Sequence, residues 1–164
     1  MRLVLFGPPG AGKGTQAKKM ESLYSAVQIS TGDLLRQAQA EGSELGRKAA
    51  EFMRAGRLVP DEVVVGLIEE RTIQTDATDG YILDGFPRTL PQLNALSDML
   101  GRQQTQLDKV ISIEVSEDLL MERLCGRWSC KSCGAVMHER DLSAMQERAC
   151  FSCNDTENLY RWCL

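Results

Sequence analysis

The 164-residue chain contains a single histidine, His138, and no apolar run of membrane-spanning length. The first absence excludes acid–base chemistry built on several imidazoles. His138 reads as a surface residue, with metal ligation as its alternative. The second absence excludes a hydrophobic spanning helix. Basic residues are not in excess either: 19 Lys and Arg stand against 23 Asp and Glu, a net charge of −4. No broad basic surface draws such a chain to nucleic acid, so any polyanion must be held by a few placed cations. The N-terminus lacks the layout of a signal peptide and reads as a core strand, Leu3-Val4-Leu5-Phe6, which sets a cytoplasmic expectation. There is no internal repeat and no low-complexity linker. With 43% hydrophobic and 26% charged residues, the length suits one compact domain with small insertions, the profile of a soluble enzyme.

The most informative stretch is GPPGAGKGT, Gly7–Thr15, directly after that first strand. Its glycines allow successive amides to point inward as a concave anion nest. Lys13 reaches terminal phosphates, and the helix beginning there offers its positive end to the same anion. Gly7 and Gly12-Lys13 have four residues between them, the spacing of a P-loop. One detail departs from the general pattern: Gly14 follows the lysine, and the hydroxyl residue, Thr15, comes one place later. Gly10, Ala11, Gly12, Lys13, Gly14 and Thr15 are therefore the candidate binders of a nucleotide polyphosphate. The alternative is a tight strand-to-helix connection.

The cysteines are clustered. Cys130 and Cys133 form one C-x-x-C pair, and Cys150 and Cys153 form another after sixteen intervening residues. This spacing reads as a four-thiolate zinc site of structural type, since a closed sulfur shell leaves no position for catalysis. The alternative is disulfide pairing, disfavoured in a reducing compartment. Cys125 and Cys163 fall outside the spacing and are expected to be a core residue and an incidental thiol.

Strand and helix alternate along the chain. Helices are expected over 15–24, from the Ser30-Thr31-Gly32-Asp33 cap to Gly42, over 44–55, over 63–75 behind Pro60-Asp61, over 89–100, and over 116–125 behind a capping serine. Strands are expected at 27–29, 81–83 and 109–115. That order implies an α/β fold with a parallel sheet and right-handed crossovers, and ligands at the carboxyl ends of the strands. The P-loop, Ser30-Thr31 and Asp84–Arg88 are thereby brought to one crevice. Arg123 and Arg127, four apart, are expected on one helix face.

Several ordered motifs agree with one family. GPPGAGKGTQA (7–17), ISTGDLLR (29–36), GRLVPDE (56–62), ILDGFPRTLPQ (82–92) and RLCGR (123–127) resemble adenylate kinase, a nucleoside monophosphate kinase, and the paired cysteines resemble the zinc-bearing lid of part of that family. The resemblance runs from Met1 to about Tyr160. It implies a P-loop three-layer α/β/α core (1–29 and 60–125), a helical monophosphate-binding insert (30–59) and a zinc-binding lid (126–164). It also implies reversible transfer from MgATP to AMP giving two ADP, in a monomer with no nucleic-acid or membrane partner. Thr31, Arg36, Leu58, Val59, Gly85, Arg88 and Gln92 resemble the AMP site. Gln92 would read the adenine edge, since an amide pairs a donor with an acceptor. Arg123 and Arg127 resemble cations on the triphosphate, and Asp84 the carboxylate holding Mg²⁺ through water. Lys13, Arg88, Arg123 and Arg127 are the implied catalytic group. The bland readings are solvated helix charges for Arg36 and Arg123 and a turn residue for Asp84.

The family pattern also implies a continuation of roughly fifty residues beyond the second cysteine pair, with more of the lid, a last strand and a closing helix. This sequence stops at Leu164, so an incomplete lid and an uncovered edge beside 109–115 are expected. Arg161 stands near the first lid arginine, Met137 replaces a usual tyrosine, and Glu139–Ala149 lacks the usual proline-rich loop. Two other function readings stay open: a nucleotide- and zinc-binding protein with weak transfer, and a kinase for another nucleoside monophosphate.

Overall fold

Leu3, Val4 and Leu5 are 4%, 1% and 2% exposed, so β1 (Arg2–Phe6) is an interior strand buried on both faces. Such continuous apolar runs belong to parallel sheets covered on both sides. β1 pairs in parallel with β3 (Tyr81–Asp84) on one side and β4 (Lys109–Ser112) on the other, and β2 (Val27–Ser30) pairs with β3. Among the described residues the sheet has four strands in the order β2-β3-β1-β4. The computed structural model describes residues 1–55, 57–133, 135–140 and 149–161. Gly56, most of the Glu139–Ala149 stretch, and Trp162, Cys163 and Leu164 lie outside the described residues, and with them the expectation for Cys163.

Alternation along the strands sorts the core into two layers. Leu3, Leu5 and Ile82 pack with Ala17 of α1 (Lys13–Leu23). Val4, Ile29 and Leu83 pack with Ile68 of α4 (Asp61–Thr72) and Leu96 and Met99 of α5 (Leu90–Arg102). The result is the three-layer arrangement with a parallel sheet. α2 (Thr31–Glu41) and α3 (Glu44–Arg54) join α4 through Ala38, Ala49, Val63 and Leu67. Both starts are capped: Ser30 Oγ accepts from the Asp33 N–H at 3.4 Å, as the sequence suggests, and Ser43 Oγ, which the sequence reading had not marked, from the Gly46 N–H at 3.0 Å.

Leu83 is fully buried between Ile29 and Val4 in the sheet register, one residue before Asp84. Leu83→Ala is expected to cost about 2–5 kcal/mol of stability, read from urea or thermal unfolding.

By chain contacts the protein divides into two compact units, Met1–Gly7 with Gly12–Ile113, and Pro8–Ala11 with Glu114–Leu164. The second holds α6 (Glu117–Cys125) and a three-stranded antiparallel sheet ordered β6-β5-β7, from β5 (Arg127–Cys130), β6 (Val136–His138) and β7 (Leu159–Arg161). Buried Cys130, Met137 and Cys150 form its core, with Trp128 and Leu159 against them.

Several expectations are corrected. Arg123 and Arg127 do not share a helix face. α6 ends at Cys125, the Gly126 N–H closes onto Glu122 and Leu124 carbonyls, and Arg127 opens β5 opposite His138. Cys125 is exposed rather than in the core, because it is the last residue of that helix. Ser116 makes no side-chain cap; its carbonyl accepts from Leu120 N–H, and Glu117 and Asp118 supply the negative charge that favours a helix start. The strand expected over 109–115 ends at Ser112, because its partner β1 ends at Phe6. α4 starts at Asp61 and ends at Thr72, followed by a short 3₁₀ turn, Thr75–Ala77, where a longer helix was expected. Among the described residues β4 is one of the two edge strands, and its Val110 is 59% exposed.

Candidate functional site

The carboxyl ends of the parallel strands set the site. Ser30 of β2 lies opposite Asp84 of β3, and Asp84 opposite Leu5 of β1, so the start of the P-loop, Thr31 and the segment after Asp84 leave the sheet at one level. Lys13 begins α1, and its Nζ donates to the Gly7 carbonyl at 2.9 Å, which holds the ammonium over its own loop. Gly12 precedes it in the left-handed region at φ 93°, as an inward-facing loop requires.

Gly14 marks a close approach. A Cβ built there lies 3.4 Å from Asp84 Oδ2 and 3.7 Å from Gln28 Nε2. The place that usually carries a hydroxyl residue thus lies in van der Waals reach of a carboxylate. Gln28 Nε2 donates to Asp84 Oδ2 at 3.0 Å, so the carboxylate is oriented from β2. Nothing in the sequence pattern had marked Gln28.

The residues expected at the monophosphate site fall into two groups. Thr31, Gly85, Arg88 and Gln92 come together. Thr31 Oγ1 donates to the Gly85 carbonyl at 3.3 Å, Arg88 Nε donates to the same carbonyl at 2.7 Å, and Arg88 Nη2 reaches Thr31 Oγ1 at 3.5 Å. Gly85 has φ 79°, and a Cβ there would stand 2.7 Å from Arg88 Nη2 and 3.1 Å from Thr31 Oγ1, so only glycine leaves this cradle open. Gln92, 5% exposed, accepts the Arg88 N–H on Oε1 at 2.7 Å and donates from Nε2 to Asp61 Oδ1 at 2.6 Å. The others stand apart from this cradle. Arg36 bonds Asp33 at 2.5 Å with its side chain 60% exposed. Leu58 is exposed, and Val59 packs against the core beside Leu34.

In the second unit, Arg123 Nη1 donates to the carbonyls of Gly10 and Ala11 at 3.2 and 3.3 Å, so this arginine lies against the P-loop backbone. Gly10 itself, at φ 82°, would meet Leu124 with an added Cβ at 3.2 Å.

The four cysteine sulfurs lie within 4.8 Å of one another, with Cys130–Cys153 at 3.6 Å and Cys133–Cys150 at 3.5 Å. A tetrahedron with Zn–S bonds of about 2.3 Å has sulfur edges of about 3.8 Å, so the donor set fits a zinc-sized ion. The same separations are far beyond a bonded pair of about 2.05 Å, which sets aside the disulfide alternative. Burial pushes the Cys150 thiol up, but N–H groups of Cys153 and Ser152 outweigh it and bring it to about 7. The Asp155 N–H pulls Cys153 down, while bonds to Cys133, Cys130 and Cys150 and burial push it up to about 12. Asp155 ties the two cysteine loops together: its carboxylate accepts from Ser132 Oγ and from the Glu157 and Asn158 N–H groups, and Asn158 Nδ2 donates to it at 2.9 Å. The Ser132 hydroxyl, then Asn158, hold that carboxyl well below the usual range. His138 lies in β6, outside the four-sulfur group.

Sequence reasoning missed Asp61, Gln28 and Asp155 as organisers. Asp61 lay inside a quoted motif, but its partners are 28 and 31 residues away. No helix among the described residues is long and apolar enough to cross a membrane.

Comparison with known proteins adds a family match. The adenylate kinase family model matches residues 5–161. The chain is 50% identical over 153 residues to an adenylate kinase of Archaeoglobus fulgidus, covering 93% of this chain and 70% of that protein. It is 46% identical over 157 residues to an adenylate kinase of Zymomonas mobilis, covering 96% and 70%. For an adenylate kinase of Moorella thermoacetica the identity is 53% over 140 residues, covering 85% and 64%.

Proposed function

This chain belongs to the adenylate kinase family, whose reaction is reversible phosphoryl transfer between ATP and AMP, and we propose that the residues gathered above divide that reaction among them. The observation that carries the reading is the Thr31–Gly85–Arg88 cradle, at the strand ends that also launch the P-loop. An oxygen of the AMP phosphate attacks the γ-phosphorus of ATP, the bond to the bridging oxygen breaks, and ADP leaves. The attacking phosphate is already anionic, so no general base is needed, in keeping with a chain whose one histidine is in β6. Catalysis then rests on positioning and electrostatics.

Gly10–Thr15 wrap the ATP phosphates, and Lys13 turns from the Gly7 carbonyl to the terminal phosphate. Arg88 and Arg36 bind the AMP phosphate, with Arg36 leaving Asp33 to do so. Thr31 and Gln92 contact the base, and Gly85, Leu58 and Val59 wall the pocket. Arg123, on the loop carbonyls, and Arg127 add charge to the triphosphate. Asp84, beside Gly14, would hold through water the magnesium that accompanies ATP in this family, and that ion would supply charge to the phosphates. Zinc in the Cys130–Cys133–Cys150–Cys153 cluster is structural. Residues 1–29 and 60–125 serve as core, and 30–59 and 126–164 as covers that keep out water, a competing acceptor. We assign a monomer in the cytoplasm with no nucleic-acid partner.

The test is ADP formation from ATP and AMP by purified chain of verified mass. Lys13→Ala is expected to lower it at least a hundredfold, as loss of one preorganised cation does. Equal turnover in the variant, or ATP binding without transfer in the wild type, would overturn the assignment in favour of a weakly catalytic nucleotide-binding protein.

A further inference from the structure

Gln92 is a side chain whose hydrogen-bonding sense decides what it can read. An amide offers an acceptor at one end and donors at the other, and a half-turn about its last bond exchanges them. In this chain two neighbours oppose that exchange. On one side stands the backbone N–H of Arg88, which needs an acceptor and takes Oε1 at 2.7 Å. On the other stands the Asp61 carboxylate, which only accepts and takes a hydrogen of Nε2 at 2.6 Å. The flipped amide would set its oxygen against the carboxylate and its NH₂ against the Arg88 N–H, two repulsions in place of two bonds. Asp61 is held in turn: its second oxygen accepts from Thr89 Oγ1 at 2.7 Å, and that hydroxyl accepts from the Gln92 backbone N–H at 3.2 Å. The ring of Asp61, Thr89 and Gln92 ties the start of α4 to the start of α5, and Gln92 sits in it 5% exposed.

We infer that Asp61 is a specificity-determining positioning residue: by taking one Gln92 hydrogen it fixes the amide in the sense that matches a 6-aminopurine monophosphate and mismatches a 6-oxopurine one. With one hydrogen on Asp61 and one lone pair on Arg88, the amide keeps one donor and one acceptor for the base. Adenine presents an amino donor next to ring-nitrogen acceptors. A 6-oxopurine has an acceptor where that amino group stands, so the fixed amide oxygen faces another oxygen. An amide free to flip would lose this discrimination. The inference rests on the reading of Gln92 as the base contact proposed above.

The experiment measures dissociation constants of AMP and IMP by calorimetry for the wild type, Gln92→Ala, Asp61→Asn and Asp61→Ala, with unfolding curves on each. Binding rather than turnover is read, so low activity does not blur the result. Asp61→Asn is nearly isosteric but offers either an oxygen or an NH₂ to Gln92, so of the two constraints on the amide only the Arg88 N–H remains. The expected result is a wild-type preference for AMP that collapses in Gln92→Ala and falls about tenfold in both Asp61 variants, the scale of one mismatched buried hydrogen bond. A preference lost in Gln92→Ala but unchanged in the Asp61 variants overturns the role of Asp61 while Gln92 stands; AMP and IMP weakened equally would say that Asp61 only stiffens the pocket, and overturns it too. A preference unchanged in Gln92→Ala removes the base contact and the inference with it. If neither Asp61 variant folds, the wild-type Gln92 side-chain amide in nitrogen-edited NMR decides. Slowed exchange of one Nε2 hydrogen without nucleotide supports the lock, and free-amide exchange of both refutes it.

Discussion

Arg88→Ala is expected to lower the rate of phosphoryl transfer about a thousandfold, the lower end of what arginines that stabilise phosphoryl-transfer transition states supply. Its Nε donates to the Gly85 carbonyl and one Nη2 hydrogen reaches Thr31, so the guanidinium is placed before any ligand arrives, with further N–H donors left for phosphate oxygens. Preplacement matters because a side chain that must first be ordered gives up part of its binding free energy as lost rotamer freedom. Alanine removes both the charge and the fork. Lysine restores charge without the planar fork, so Arg88→Lys should recover only part of the loss. Steady-state kinetics with AMP varied at saturating ATP would show kcat falling together with a rise in the KM for AMP. ATP binding, measured separately, should stay within about threefold, since the P-loop is untouched. A fall in turnover of less than tenfold would demote Arg88 to a solvated loop charge.

The second large effect is expected at the metal cluster. Cys130 is 1% exposed and sits in the small core of the antiparallel sheet, its sulfur 3.6 Å from that of Cys153. Among the described residues this core is Cys130, Met137 and Cys150 with Trp128, Ala135 and Leu159, too small to hold three short strands by apolar burial alone. A bound zinc would supply the difference, since structural zinc in small domains contributes apparent free energies of about 10–16 kcal/mol. Purified without chelator, the wild type should carry about one zinc per chain, and Cys130→Ser should carry almost none. Amide exchange in β5–β7 should rise at least a hundredfold in the variant, while β1–β3 keep their protection. A wild type free of metal would sink the four-thiolate reading. A metal-free variant with β5–β7 still protected would show that the ion does not hold the fold.

Much of this was legible from residue order, because the governing interactions are short in sequence. The P-loop is nine consecutive residues, and what it needs from each is a local backbone freedom or a side chain at its own position. The cap at Ser30 acts over three residues, and each cysteine pair has two residues between. Burial on both faces of 3–5 and 81–83 follows from their unbroken apolar character. Arg127 and Cys125 were misplaced for the complementary reason. Whether a helix continues past Gly126 depends on β5 finding β6 and β7, the latter more than thirty residues on, and no local signal reports that pairing.

By itself, then, the sequence determined the α/β class, the P-loop pattern, the paired cysteines that come together and the family, since each is written in contiguous or evenly spaced residues. The tertiary structure alone decided which of the named side chains meet. It brought Thr31 and Arg88 to one carbonyl across 54 and 3 residues, set Asp84 against Gly14 with Gln28 behind it, and left Arg36 on Asp33. It also gave Gln92 its direction through Asp61, 31 residues away. A hydrogen bond depends on distance and angle within a few tenths of an ångström, and those are properties of packed elements rather than of residue order.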